Sequence, residues 1–400
     1  MDCLVCHDTT GTYEKVLTGC GHPAYESTIS EGKTYDPVDL GNIARNVGKT
    51  SRATCGACHF FGGGAAGVKH GDLDTSLLAP SKDLDVHMDM QGLNYSCTSC
   101  HVTFSHYITG RHYSEPAPKN RRMALPKDDG NRLSCESCHG PSPHRSDDKL
   151  NHHTDIVACQ SCHIPAFARV NPTVMSWDWS VAGRFDEKGR PFKKKEPPDI
   201  GPNYLTRKGE LVWAKNVTPT YRWYNGSFHF MRMGERIGDE RPVVLSGPNG
   251  GPGEPDSRIH PFKIHQGVQP YDPVTMTIGI PKIFGPKGSG AYWSDFNWKA
   301  SLAAGMMSAG VTFSGEVDFI KTETYWSINH MIPPKEKAVG CASCHARDGL
   351  MAEIAGVYIP GRDRSRTLDT AGWTFVALSA GAVSVHGLLR ILSRGREKGE

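Results

Sequence analysis

Regular hydrophobic patterning is what this chain has least of. Clear amphipathic periodicity is scarce, and 44 glycines and 27 prolines interrupt its 400 residues, which argues for short helices joined by long irregular segments. An excess of one charge is missing too. Lys and Arg number 45 against 42 Asp and Glu, a formal net charge of +3, and no segment resembles a nucleic-acid module, so no nucleic-acid partner is expected. Cysteine outside one pattern is almost absent, since Cys20 alone of 13 stands apart from it. No leader opens the chain either: Met1-Asp2-Cys3 has no charged stretch, apolar stretch or cleavage site before it.

The other twelve cysteines make six copies of Cys-x-x-Cys-His. These are Cys3-Leu-Val-Cys6-His7, Cys55-Gly-Ala-Cys58-His59, Cys97-Thr-Ser-Cys100-His101, Cys135-Glu-Ser-Cys138-His139, Cys159-Gln-Ser-Cys162-His163 and Cys341-Ala-Ser-Cys344-His345. With 13 Cys and 19 His in the chain, random placement would give about 0.02 such patterns. Two thiols at this spacing add across the two vinyl groups of one haem, and the adjoining His is held under the iron as proximal ligand. The sequence therefore reads as a multihaem c-type cytochrome with six covalent haem c sites.

Zinc also uses Cys-x-x-Cys pairs, but a structural zinc site takes two pairs and no adjoining His. Disulfides across a two-residue spacer would be strained and redox-active. Cys20 reads as a buried or free thiol. Each ferric bis-His haem adds two propionates against one positive charge, so six bring the assembly to about -3. The haems also supply much of the apolar core, and the chain should not fold properly without them.

The expected fold class is mainly α with much irregular structure, a multihaem cytochrome c fold organised around covalently bound haems. Residues 1-170 form the domain with five attachment sites. Residues 171-329 form a haem-free insert of small β and irregular structure, rich in Trp, Tyr, Pro and Gly, as in Trp177-Asp-Trp179 and Tyr221-Arg-Trp223-Tyr224. Gly209 to Val212 and Thr220 to Phe230 read as short strands and turns, and the insert reads as a cover that buries haem edges. Residues 330-350 hold the sixth site and 351-371 a linker.

Residues 372-393 are almost wholly apolar or small, long enough for one transmembrane helix at about 1.5 Å per residue. Arg390 is near enough to its end to snorkel, and the tail 394-400 carries Arg394, Arg396 and Lys398, which places it in the cytoplasm. Haem attachment of this type takes place outside the cytoplasmic membrane, so the haem domain faces the periplasm and the lipid bilayer is a partner. An exported protein needs a leader, so the chain is expected to lack its true beginning. His386, inside the apolar segment, reads as a neutral His near the interface, with quinol chemistry as the functional alternative.

A second His on the iron makes a low-spin electron carrier, and an open or weakly held face makes a reaction centre. Thirteen His remain for that role: 22, 70, 87, 106, 112, 144, 152, 153, 229, 260, 265, 330 and 386. His106 and His144 each follow a proximal His by five residues, too close to reach round their own haem, and are expected on neighbouring haems.

Several stretches go beyond the haem pattern: Asp2 to Tyr13, Val47 to His59, Gly67-Val-Lys-His-Gly-Asp72, Leu84-Asp-Val-His-Met88 and Ile328-Asn-His-Met331. With these the chain resembles, over nearly its whole length, the octahaem tetrathionate reductase family of multihaem cytochromes. The resemblance implies eight haems, seven bis-His and one with a distal Lys where substrate reacts, the first two being absent from this chain. It implies distal ligands at His22, His70, His87, His106, His144, His153 and His330, and leaves His112, His152, His229, His260 and His265 as surface residues. Lys49 is the first candidate for the Lys ligand and Lys15 the second, since a buried amine over ferric iron favours the deprotonated form.

The expected function is a membrane-anchored electron-transfer cytochrome, resembling a reductase of tetrathionate, nitrite or hydroxylamine whose active haem lies outside the chain. The alternative is a non-catalytic hexahaem conduit between a quinol-oxidising module and other cytochromes.

Overall fold

A computed structural model describes residues 2–16, 21–30, 33–104, 106–108, 134–196 and 201–396. Cys20, His112 and Lys398 lie outside the described residues. The chain divides into two compact units, Met1–Val339 and Gly340–Glu400.

In the first unit the attachment motifs lie on very short helices: Cys3–His7, Arg52–His59, Cys97–Cys100, Glu136–His139 and Cys159–His163. A single helical turn puts residues three apart on one face, so each motif presents both cysteines together. Local caps start these turns where periodicity cannot. Asp2 accepts from the Leu4 N–H at 3.0 Å, and Ser51 and Thr54 form a capping box.

Most of the regular structure in this unit is β. A ten-stranded mixed sheet fills the haem-free insert, so the expectation of a mainly α chain with only small β structure is corrected. Its spine is the strand Arg258–Asp272, antiparallel to Asp318–Ser327 from Phe262↔Ser327 to Tyr271↔Asp318. The same spine pairs in parallel with Thr173–Asp178 and antiparallel with Thr220–Tyr224, and Gly209–Ala214 extends the sheet from Thr173–Asp178.

Apolar clusters tie this sheet to the motif-bearing segments. Ile164, next to His163, packs with Phe167, Ala168 and Ile328, while Phe60, next to His59, packs with Leu77, Leu84 and Met331. The backbone approach at Gly67 is especially close. Gly67 has φ +68°, and a Cβ there would meet Pro172 O at 2.5 Å. Only glycine suits that position, and its carbonyl accepts from Val174 N at 3.1 Å and Thr173 Oγ1 at 2.7 Å.

The second unit holds the helix Cys341–Cys344 with the sixth motif and the long helix Arg366–Arg396. Residues 366–392 of that helix are long and apolar enough to cross a membrane. At about 1.5 Å per residue they span roughly 40 Å, and His386 is exposed within them.

Candidate haem sites

The first five motifs are neighbours in chain order. Burial, then the nearby Cys55 and Cys58, raises the Cys6 thiol, which places the first site against the second. Cys55 and Cys97 share a side-chain hydrogen bond, joining the second to the third. Cys100 is raised by burial and then by Cys138, and Cys135 is hydrogen-bonded to Cys159, which carries the series to the fourth and fifth. All twelve motif cysteines are outside disulfides.

Four pairs of histidine rings recur at one separation. His7 and His106 are 6.2 Å apart between ring centres, His87 and His139 6.1 Å, His101 and His330 6.3 Å, and His144 and His163 6.3 Å. A metal–imidazole bond of about 2.0–2.1 Å, with the ring centre about 1.1 Å beyond the nitrogen, sets two rings across one metal about 6.3 Å apart. Each pair joins one motif His to one His from elsewhere in the chain, which is the donor set that a six-coordinate haem iron takes. The residues therefore fit the group. By contrast, no three His, Cys, Asp or Glu side chains converge on a common metal position among the described residues, as structural zinc would need.

The ring planes fall in two classes, near-perpendicular at 83° for His7/His106 and 71° for His87/His139, and flatter at 27° and 10° for the other two. The other candidates are placed differently. His22 lies against Tyr25 at 4.6 Å, His70 meets the edge of Trp326 at 5.4 Å, and His153 sets Nδ1 2.7 Å from Lys149 O. His59 closes the helix Arg52–His59, and His345 has Nδ1 3.1 Å from Pro360 O.

Orientation comes from behind each ring. His7 Nδ1 meets Gly48 O at 2.8 Å, whereas His330 Nδ1 meets the carboxylate of Asp72 at 3.0 Å. Burial alone would raise the Asp72 carboxyl, but the hydrogen bond and charge of His330 outweigh it and hold the group at about 2. Asp85 accepts from His87 N and Met88 N on one oxygen and from Met331 N and Ile332 N on the other. It thereby fastens the two loops that carry His87 and His330.

The bacterial cytochrome c family matches residues 174–348. The octahaem cytochrome c of Shewanella oneidensis, a crystal structure, is similar at 38% identity and a TM-score of 0.70, over 89% of this chain and 76% of that one. The chain belongs to the octahaem cytochrome c family. No curated protein matches it. Family membership makes haem c the bound group of this multihaem cytochrome.

Lys49 is exposed in this cytochrome, one residue from the Gly48 carbonyl behind His7. Lys15 is 3.1 Å from Asp2. His152 and His229 are exposed. The surface assignment fails for His260, which is 3% exposed; His265 is half-buried, and burial, then the Lys263 charge, lowers it to about 4. Both lie on the long central strand, whose inner faces are covered. Sequence reasoning also gave no role to Asp72, Asp85, Arg52 and Lys263. The first two stand within two residues of His70 and His87, a spacing that could have flagged them, while Arg52 and Lys263 act across long sequence distances and leave no local signal.

Proposed function

We propose that this octahaem-family cytochrome carries electrons outside the cytoplasmic membrane, held to it by the helix Arg366–Arg396. The observation that carries the reading is the recurrence of one ring separation in four histidine pairs along motifs that follow one another in space. Bound haem supplies reversible one-electron exchange at iron, and a second imidazole closes the iron to substrate. The chain's own part is to hold each group covalently through two cysteines, to set both axial rings, and to keep water from the buried faces. His7, His59, His101, His139, His163 and His345 are the proximal ligands. His106, His87, His330 and His144 serve opposite His7, His139, His101 and His163, and His22, His70 and His153 are the remaining distal candidates, seven in all against six proximal ligands. The partners are a quinol-oxidising membrane module or other cytochromes.

A reductase of tetrathionate or a small nitrogen oxyanion is the second reading, favoured by the identity to an octahaem protein. Lys49 is its candidate reactive-site ligand, because it borders the first motif on an exposed turn.

The test is the holoprotein made with periplasmic haem maturation. We expect six haems by intact mass, a wholly low-spin oxidised spectrum, complete reversible reduction, and retention in membranes washed with carbonate. Fewer haems or a high-spin fraction would count against the axial set, and release by carbonate against the anchor. Rapid reoxidation of the reduced six-haem protein by tetrathionate would favour the reductase.

A further inference from the structure

The four ring pairs differ in the charge behind them. Asp72 is 1% exposed, and its Oδ2 accepts from Asn329 N at 2.7 Å and His330 N at 3.0 Å, and stands 3.0 Å from His330 Nδ1. That oxygen is fixed from three directions. His144 stands in the opposite situation. Its backbone is clamped by Asn151, with N to Oδ1 at 3.0 Å and Nδ2 to O at 2.9 Å. Its Nδ1, however, is buried with no hydrogen-bond partner among the described residues.

An imidazole whose Nδ1–H is donated to a carboxylate becomes more basic at the other nitrogen and a stronger donor to a metal. A buried negative charge close to the metal also favours its more positive oxidation state, because little water is present to screen it. Both effects act in one direction at His330 and neither acts at His144. Lys263 and His70 are the other buried titratable groups whose charges act on Asp72. The Lys263 amine is bonded to Val68 O, Lys69 O and Thr173 Oγ1 and makes no hydrogen bond to Asp72, so it acts on the carboxylate through space.

We propose that Asp72 holds the reduction potential of the site shared by His101 and His330 below that of the site shared by His144 and His163. This rests on the axial pairing proposed above. The third site is then the more reducing of the two.

Redox titration of the holoprotein, followed optically, tests it. Asp72→Asn keeps the shape of the side chain and an oxygen for the two backbone N–H groups, and removes the charge. The expected result is that one resolved component becomes about tenfold easier to reduce, equal to about 59 mV for a one-electron couple, with the oxidised spectrum still low-spin. Asp72→Glu restores the charge and should keep that component low, which also serves if the Asn variant assembles poorly. Potentials unmoved in Asp72→Asn, or raised equally in Asp72→Glu, would overturn the proposal. So would a high-spin fraction in Asp72→Asn, since Asp72 would then only seat His330. His330→Ala tests the pairing separately: one haem should turn high-spin, and an unchanged spectrum would sink the pairing itself whatever Asp72→Asn does.

Discussion

Arg52→Ala is expected to free the loop that carries His87, to turn one haem of the six high-spin, and to destabilise the holoprotein. Arg52 is 8% exposed at the start of the helix Arg52–His59. Its guanidinium reaches across to residues 78–95, donating to Met88 O at 2.7 Å, to Tyr95 O at 2.7 Å, to Asn94 Oδ1 at 3.0 Å and to Leu78 O at 3.4 Å. Those acceptors surround His87, whose carbonyl in turn accepts from Tyr95 N at 2.9 Å. One side chain therefore couples the second attachment helix to the ring opposite His139.

Each buried carbonyl that loses its donor costs about 1–3 kcal/mol, so three of them suggest roughly 3–5 kcal/mol for Arg52→Ala after relief of the buried charge. That is a large share of a typical domain's stability of about 5–15 kcal/mol. Arg52→Lys should recover little, because an ammonium cannot reproduce a planar fork that serves four acceptors. Denaturant unfolding followed at the Soret band, with the high-spin absorbance recorded in the same samples, checks both halves. A fully low-spin Arg52→Ala protein of unchanged midpoint would sink the argument.

What could be read without the structure divides along sequence distance. Attachment chemistry fixes Cys-x-x-Cys-His within five consecutive residues, so each copy was visible where it stands. The long C-terminal helix was visible because twenty or so apolar residues in a row need no partner to be noticed. The candidate distal histidines could be named from the sequence, and their pairing could not: His101 faces His330 from the far end of the insert, and no local pattern encodes that. His106 and His144 were expected away from the motif each one follows, and their rings stand against His7 and His163.

The strands at Gly209–Ala214 and Thr220–Tyr224 were legible, but the spine of the sheet was hidden for a physical reason. That spine, Arg258–Asp272, contains Pro261, Gly267 and Pro270, which weaken any strand reading. It is also buried continuously from Ile259 to Lys263, so the inside-outside alternation that marks a half-exposed strand is lost. Neighbouring strands and the packed segments around Gly67 supply what local propensity lacks. His260 and Lys263 look like surface residues in sequence because their type is polar, and only the covered faces of that strand explain their burial.

Lys263→Met is the second large effect expected. Lys263 is 0% exposed, and its amine donates to Val68 O at 3.0 Å, Lys69 O at 3.0 Å and Thr173 Oγ1 at 2.6 Å. Methionine fits the space and leaves all three acceptors without a donor and Asp72 without its nearby cation. A loss of roughly 3–5 kcal/mol follows from removing one member of such a buried set, and the segment Gly67 to His70 should loosen first. The pH dependence separates this from simple misfit. Burial, partly offset by Asp72, lowers Lys263 to about 7, against about 10.4 for the unfolded chain.

Between those values the unfolded state binds more protons, so stability rises with pH from about 7 to 10, and the same gain is lost as pH falls from about 10 to about 7. Below about 7 both states are protonated and this contribution is level. The stability gap between wild type and Lys263→Met should therefore be constant from about pH 5 to 7 and widen toward about pH 10, in unfolding curves measured on the two holoproteins side by side. A gap that stays flat across the whole range would show that Lys263 titrates as an ordinary lysine. No gap at all would show that the sheet and the Gly67 loop hold together without it.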